Sequence, residues 1–167
     1  MIELIQEDCE VTGIKIKIND DPDLRGELDK IYEKASQLQL CRYGLLLADH
    51  ILSSVDKTYL NNEIIKEGFQ ANKKWQNGEV RMHDVRQAGF KVHKLAREST
   101  DPVTVSATLR VACHAIATGH MKEHAMVASD YAIKVINLKY PDCIEEIRKE
   151  RLWQIEQLKE IVKDFSK

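Results

Sequence analysis

VTVSATLRVACHAIATGHMKEHAMVASDYAIKVINLKY, residues 103–140, is the part of the chain where charge thins out and apolar side chains appear on nearly every helical face. Val103, Ala107, Arg110, His114, Ala117, Met121, His124, Ala128, Tyr131, Val135 and Leu138 follow a four-three alternation, the spacing that stacks side chains on one face of an α-helix. As one helix the stretch would be roughly 55 Å long at 1.5 Å per residue, against a diameter of about 40 Å for a compact domain of this size. The chain therefore has to turn inside it. Thr118-Gly119-His120 is the place, with Gly119 as a left-handed C-cap. The stretch reads as the central helical hairpin of an all-α core.

Working outward toward the N-terminus, Ser99-Thr100-Asp101-Pro102 punctuates the chain, with Asp101 as N-cap and Pro102 at the first helical position. Before it, 80–99 carries Val85, Ala88, Gly89, Val92, Leu95 and Ala96 on one side of a helix. Asn61-Asn62 opens an earlier helix through Ile65, Gly68, Asn72 and Trp75, and Asn77-Gly78 closes it with glycine in the left-handed position. Residues 39–54 form another amphipathic helix, with His50 near its C-terminus where the dipole favours it. Asp20-Asp21-Pro22 starts the first helix, whose stripe is Leu24, Leu28, Ile31, Ala35 and Leu38. Toward the C-terminus, Pro141-Asp142 opens a last helix with Ile144, Ile147, Arg151, Ile155, Leu158 and Val162 on one face and a solvated Glu/Lys face opposite.

Residues 1–19 differ in period. Ile14, Ile16 and Ile18 alternate with Lys15 and Lys17, which predicts a short strand, paired with 2–5 as a hairpin or lying on the helices as an arm. The expectation is an N-terminal arm or hairpin over 1–19 and a single-domain bundle of six to seven helices over 20–167.

At 167 residues the chain is long enough to bury a core without staples. Its 25 basic and 27 acidic residues give a net charge of -2, which excludes nucleic-acid binding through overall charge. The signs are unevenly placed: 1–30 holds nine acids and four bases, 57–100 nine bases and five acids. Cys9, Cys41, Cys113 and Cys143 are scattered without a CxxC pair and read as reduced thiols. The absence of a secretory leader pattern and of a run of about 18 apolar residues predicts a cytoplasmic protein that does not enter a membrane.

The residues with chemical potential cluster in 103–140. His120-x-x-x-His124 puts two imidazoles on one face, and Cys113-His114 adds ligand types, so His114, His120 and His124 are metal candidates. The pattern lacks the Glu of HExxH, the ExxH of di-metal bundles and four convergent ligands, so no metal and no cofactor is expected. No GxSxG turn, P-loop or GxGxxG occurs, and no catalytic residue emerges. The chain reads as a binding protein rather than an enzyme. Polar groups on an apolar hairpin need partners, so Asp49, His50, Arg110, His114, His124, Asp130 and Arg151 are expected to form a buried polar network, with a carboxylate from Asp49, Asp56, Asp84 or Asp130 on Arg110.

Several blocks then fall in an order that resembles the Imm5-like family of bacterial immunity proteins. They are LLLADHIL (45–52) followed by Asp56, KKWQNGE (73–79), VRQAGFKVHKLARE (85–98), LRVACHAIATGHMKEHAMVASDYAIKV (109–135) and ERLWQIEQL (150–158). Coverage runs from about 40 to 160; the first 25 residues lie outside it. Lys57 stands where the family commonly has Arg after the Asp, which removes a bidentate arginine at that point. The resemblance implies an α-helical domain that neutralises a cognate bacterial protein toxin, as in toxin–antitoxin pairs, here by occlusion. Asp56, Trp75, Glu79, Arg86 and His120 are the binding candidates, and the basic 57–100 region around Arg81, Arg86 and Lys94 suits an acidic partner. The alternatives are a metal- or ligand-binding helical protein or enzyme using His114, His120 and His124, and a homodimer or larger homo-oligomer joined through the N-terminal strand or the last helix.

Overall fold

Asp21 begins the helical part of the molecule by accepting a hydrogen bond from the Leu24 amide at 3.0 Å, with Pro22 in the first turn. The computed structural model describes residues 13–55, 57–99 and 103–166. Among these residues seven α-helices follow in order: α1 (Pro22–Lys34), α2 (Gln37–Val55), α3 (Glu63–Gln76), α4 (Met82–Glu98), α5 (Val103–Ala117), α6 (His124–Lys139) and α7 (Ile144–Ser166). A 3-10 turn, Lys57–Asn61, joins α2 to α3. The architecture is an all-α single-domain bundle, as the periodicity predicts. No helix of the described residues is long and apolar enough to cross a membrane.

The punctuation residues act largely as read. Asn62 caps α3 by accepting from the Ile64 and Ile65 amides. Gly78 takes a φ of +74° after α3. The sequence at 101–102 and the residue Asp56 lie outside the described residues, as do 2–5 and Cys9.

The chain does turn between α5 and α6, over 118–123. Gly119 is needed there for a different reason than a left-handed cap, because its φ is not positive. A Cβ on it would come within 2.9 Å of Val85 Cγ1 and 3.4 Å of Asn72 Nδ2, so the turn lies directly on α3 and α4. Asn72 also donates to the Ile116 carbonyl, and Gln37 Nε2 donates to the carbonyls of both Thr118 and Gly119. The turn is clamped from two sides.

α5 is the centre, packed against α2, α3, α4 and α6. Its deepest positions are Leu109, Val111, Ala112, Ala115 and Ile116. The four-three series of the sequence is buried only in part: Ala107, Ala128 and Val135 are core residues, Arg110, His114, Ala117, His124 and Tyr131 are half-buried, and Val103 and Met121 are exposed by 65% and 43%. In α1 the buried face is likewise one residue round from the expected stripe, at Arg25, Leu28, Asp29 and Tyr32. Buried salt bridges turn that face inward.

Ile14 to Ile18 form no strand among the described residues, which corrects the expected strand; its expected partner, 2–5, lies outside them. The end of the segment rests on the helices. Ile18 packs on Ile133, Ile136 and Ile147, and Asn19 exchanges two hydrogen bonds with the Asn137 side chain. Those contacts replace the ladder that the alternation predicts.

Candidate binding cavity and the polar clusters

Two polar clusters flank α6. The first joins α1, α6 and α7. Arg151, fully buried, donates to Asp20 through Nε and Nη2 at 3.0 and 2.8 Å, and to Asp130 through Nη2 at 2.8 Å. Arg25 makes a second pair of bonds to Asp130, at 2.9 and 3.2 Å, and reaches Asp29. Arg151 also donates to Gln154, Gln154 to Glu150, and Glu150 lies 2.8 Å from His50 Nε2. His50 stacks on Trp153 with centroids 3.7 Å apart. Bidentate arginine pairs of this kind hold their charges because each meets a carboxylate in fixed geometry.

The second cluster sits between α4, α5 and the start of α6. His114 and His124 face each other with Nδ1 atoms 2.9 Å apart, so one ring carries its proton there and the other accepts. Tyr131 stacks on the far side of His114. Arg110 Nη1 bonds the ring of His93, which must then be neutral, and His93 Nδ1 lies 3.6 Å from Cys113 Sγ. These rings border a cavity of about 210 Å³ with Phe90, Ala117 and His120 in its walls and Arg86 at its edge. The Nδ1 of His120 is shielded from solvent and has no hydrogen-bond partner among the described residues.

Burial sets the chemistry of this cavity. It pushes His114 down to about 3, aided by His124, Arg110, His93 and Lys15. His124 is lowered by burial and His120, against the opposing pull of Glu123. His93 is lowered by burial and Arg110. The Cys113 thiol is pushed up to about 11, so it is no ready nucleophile. The arrangement offers neutral imidazoles as donors and acceptors in an apolar wall. Among the described residues no group of three or more His, Cys, Asp or Glu side chains is placed to hold a metal ion.

The residues expected to share one network therefore separate. His50, Asp130 and Arg151 belong to the first cluster; Arg110, His114 and His124 belong to the second. Asp49 joins neither, because α2 turns Leu47, Ala48, Ile51 and Leu52 inward and leaves Asp49 exposed. Arg110 meets a histidine where a carboxylate was expected. Of the binding candidates, Arg86 and His120 come together at the cavity. Trp75 is half-buried against the core and Glu79 is exposed in the α3–α4 turn. Asp20, Arg25, Asp29, Glu150, Gln154 and His93 were not singled out in the sequence. The Arg25/Asp29 and Glu150/Gln154 spacings of four, beside apolar positions, were the available signal.

Fold and clusters define a helical bundle with a charge-matched side and a histidine-lined cavity, without an activated nucleophile among the groups described. Its relatives are specific: the chain matches the sequence profile of the family described as "Imm-5 like putative immunity protein" over residues 30–161, and it belongs to that family. Neither a curated protein nor a solved structure matches it.

Proposed function

We propose that the protein neutralises a cognate toxin by covering the toxin's active site, with the outer surface of α4 as the docking face. Family membership over most of the chain carries this reading and implies a toxin partner in general. The surface of α4 supports the finer part. Arg81, Arg86 and Lys94 are exposed along it, and Phe90, 53% exposed, stands among them with the Arg86 guanidinium 5.7 Å from its ring centre. An exposed aromatic beside an arginine is the residue chemistry of interface hot spots. Positive charge on the face calls for an acidic surface on the toxin, which speeds encounter and fixes orientation.

The test is binding to the toxin-like protein encoded beside the gene, measured by calorimetry with the purified pair. Phe90→Ala and a double Arg81→Glu/Arg86→Glu change are expected to weaken the complex by about 100-fold each, equivalent to ~2.7 kcal/mol. Unaltered affinity in both variants would exclude α4 as the face. If no neighbouring product binds the wild-type chain, the toxin reading itself fails.

A further inference from the structure

We propose that the cavity beneath Phe90 is a binding site for a small organic carboxylate, a monoanion with an apolar or aromatic body. The proposal stands apart from the toxin reading, since the ligand binds the free chain and its test needs no protein partner. Size comes first. At about 210 Å³ the cavity is smaller than the ~300–1,000 Å³ of sites for drug-sized molecules, so a single ring with one charged substituent fits its scale.

The walls select the body of that ligand. Phe90, Ala117, Gly89 and the flat faces of the imidazoles present apolar and aromatic surface. The charges select its head. Arg86 stands at the rim, Arg110 lies behind His93, and Lys15 acts on both His114 and His124. Arg86 and Arg110 take part in no salt bridge among the described residues, in contrast to Arg25 and Arg151 across α6. Glu123, beside His124, is the acid acting on this side. The surplus is positive.

The decisive observation is His120. The ring lines this cavity, and its Nδ1 is shielded from solvent without a partner among the described residues, whereas buried polar groups are normally paired. A rotation of the His120 ring about its side-chain bonds would present Nδ1–H to a carboxylate oxygen in the cavity, with Arg86 as the second donor. A metal cation fits poorly, because neighbouring charges are positive and no ligand group of three converges among the described residues. A phosphate dianion fits less well than a carboxylate, since its second charge would have to be desolvated against largely apolar walls.

The experiment titrates the full chain at neutral pH with benzoate, benzamide and inorganic phosphate in turn, following the histidine ring proton signals by NMR and heats by calorimetry. Benzoate is expected to shift His120 and His124 saturably with a Kd below ~1 mM, benzamide to bind at least about tenfold more weakly, and phosphate to leave those signals in place. Ala117→Leu, which fills the cavity, should abolish the benzoate response, and Arg86→Gln should weaken it about tenfold. No saturable shift with benzoate overturns the proposal. So does equal binding of benzamide, which would make the cavity a merely apolar hole, or equal binding of phosphate, which would make it a general anion site. The benzoate–benzamide comparison uses the unaltered chain, so it decides even if Ala117→Leu does not fold.

Discussion

The two sides of α6 treat charge in opposite ways. Toward α1 and α7, Asp130 meets Arg25 and Arg151, and Arg151 meets Asp20, so these buried charges have opposite partners, while the buried Glu150 carboxylate lies 2.8 Å from the His50 ring. Toward α4 and α5, among the described residues, Arg110 meets the ring of His93 and no carboxylate, two histidines share one hydrogen bond, and His120 Nδ1 has no partner. A closed set of pairs is what a scaffold needs, because an uncompensated buried charge is expensive. An open set is tolerated where groups can stay neutral, and imidazoles can. The difference suits one side to support and is consistent with the recognition role proposed for the other.

The largest expected effect would break this comparison outright. Arg151→Ala leaves Asp20 and Asp130 short of a buried counter-charge and is expected to cost about 3–5 kcal/mol, whereas Arg110→Ala, which breaks no carboxylate pair, should cost about 1 kcal/mol or less. Urea unfolding of both variants measures it. Equal losses would mean that the two sides are alike.

Acid should reach the histidine side selectively. The folded-state value of His114 is depressed to about 3, so between that value and the ordinary one near 6.5 the unfolded chain binds more protons. Stability conferred by the neutral ring is therefore present above about pH 6.5 and lost as pH falls. The loss should reach about 2–3 kcal/mol by pH 4.5. His93 and His124 are shifted in the same direction and add to it. Unfolding free energies from pH 7.5 to 4.5 check the slope, and His114→Phe should flatten it.

Smaller changes sharpen where the cavity gets its shape. Gly119→Ala pushes a methyl onto Val85 and is expected to cost about 1–3 kcal/mol in thermal unfolding, with altered His120 signals. Phe90→Ala, on an exposed side chain, should leave stability within about 0.5 kcal/mol while changing whatever the α4 face binds.

Much of the fold was legible because capping residues state their purpose locally: Asp21-Pro22, Asn62 and Gly78 act within one turn of themselves. The break at 118–120 followed from length alone, and its mechanism did not. A glycine chosen for close approach and one chosen for positive φ look identical in sequence, and only the packing of Val85 tells them apart. The clusters were half legible. His114 and His124 stood out against alanines, yet their four-three series mixes cavity-lining positions with core residues such as Ala128 and Val135. Asp20 and Arg151 are 131 positions apart, and no local spacing announces a pair that tertiary packing creates.

Gln37 carries one last consequence. A single side-chain amide at the start of α2 holds two successive carbonyls of the α5–α6 turn, while Asn72 holds the Ile116 carbonyl two residues before them. The rear wall of the cavity is thereby fixed, and the more exposed wall is the ring of Phe90. Traffic in and out of the cavity should then be timed by side-chain rotation, on the order of nanoseconds, rather than by the microsecond-to-millisecond opening of a loop. Fast-exchange line shapes in a ligand titration would be its signature.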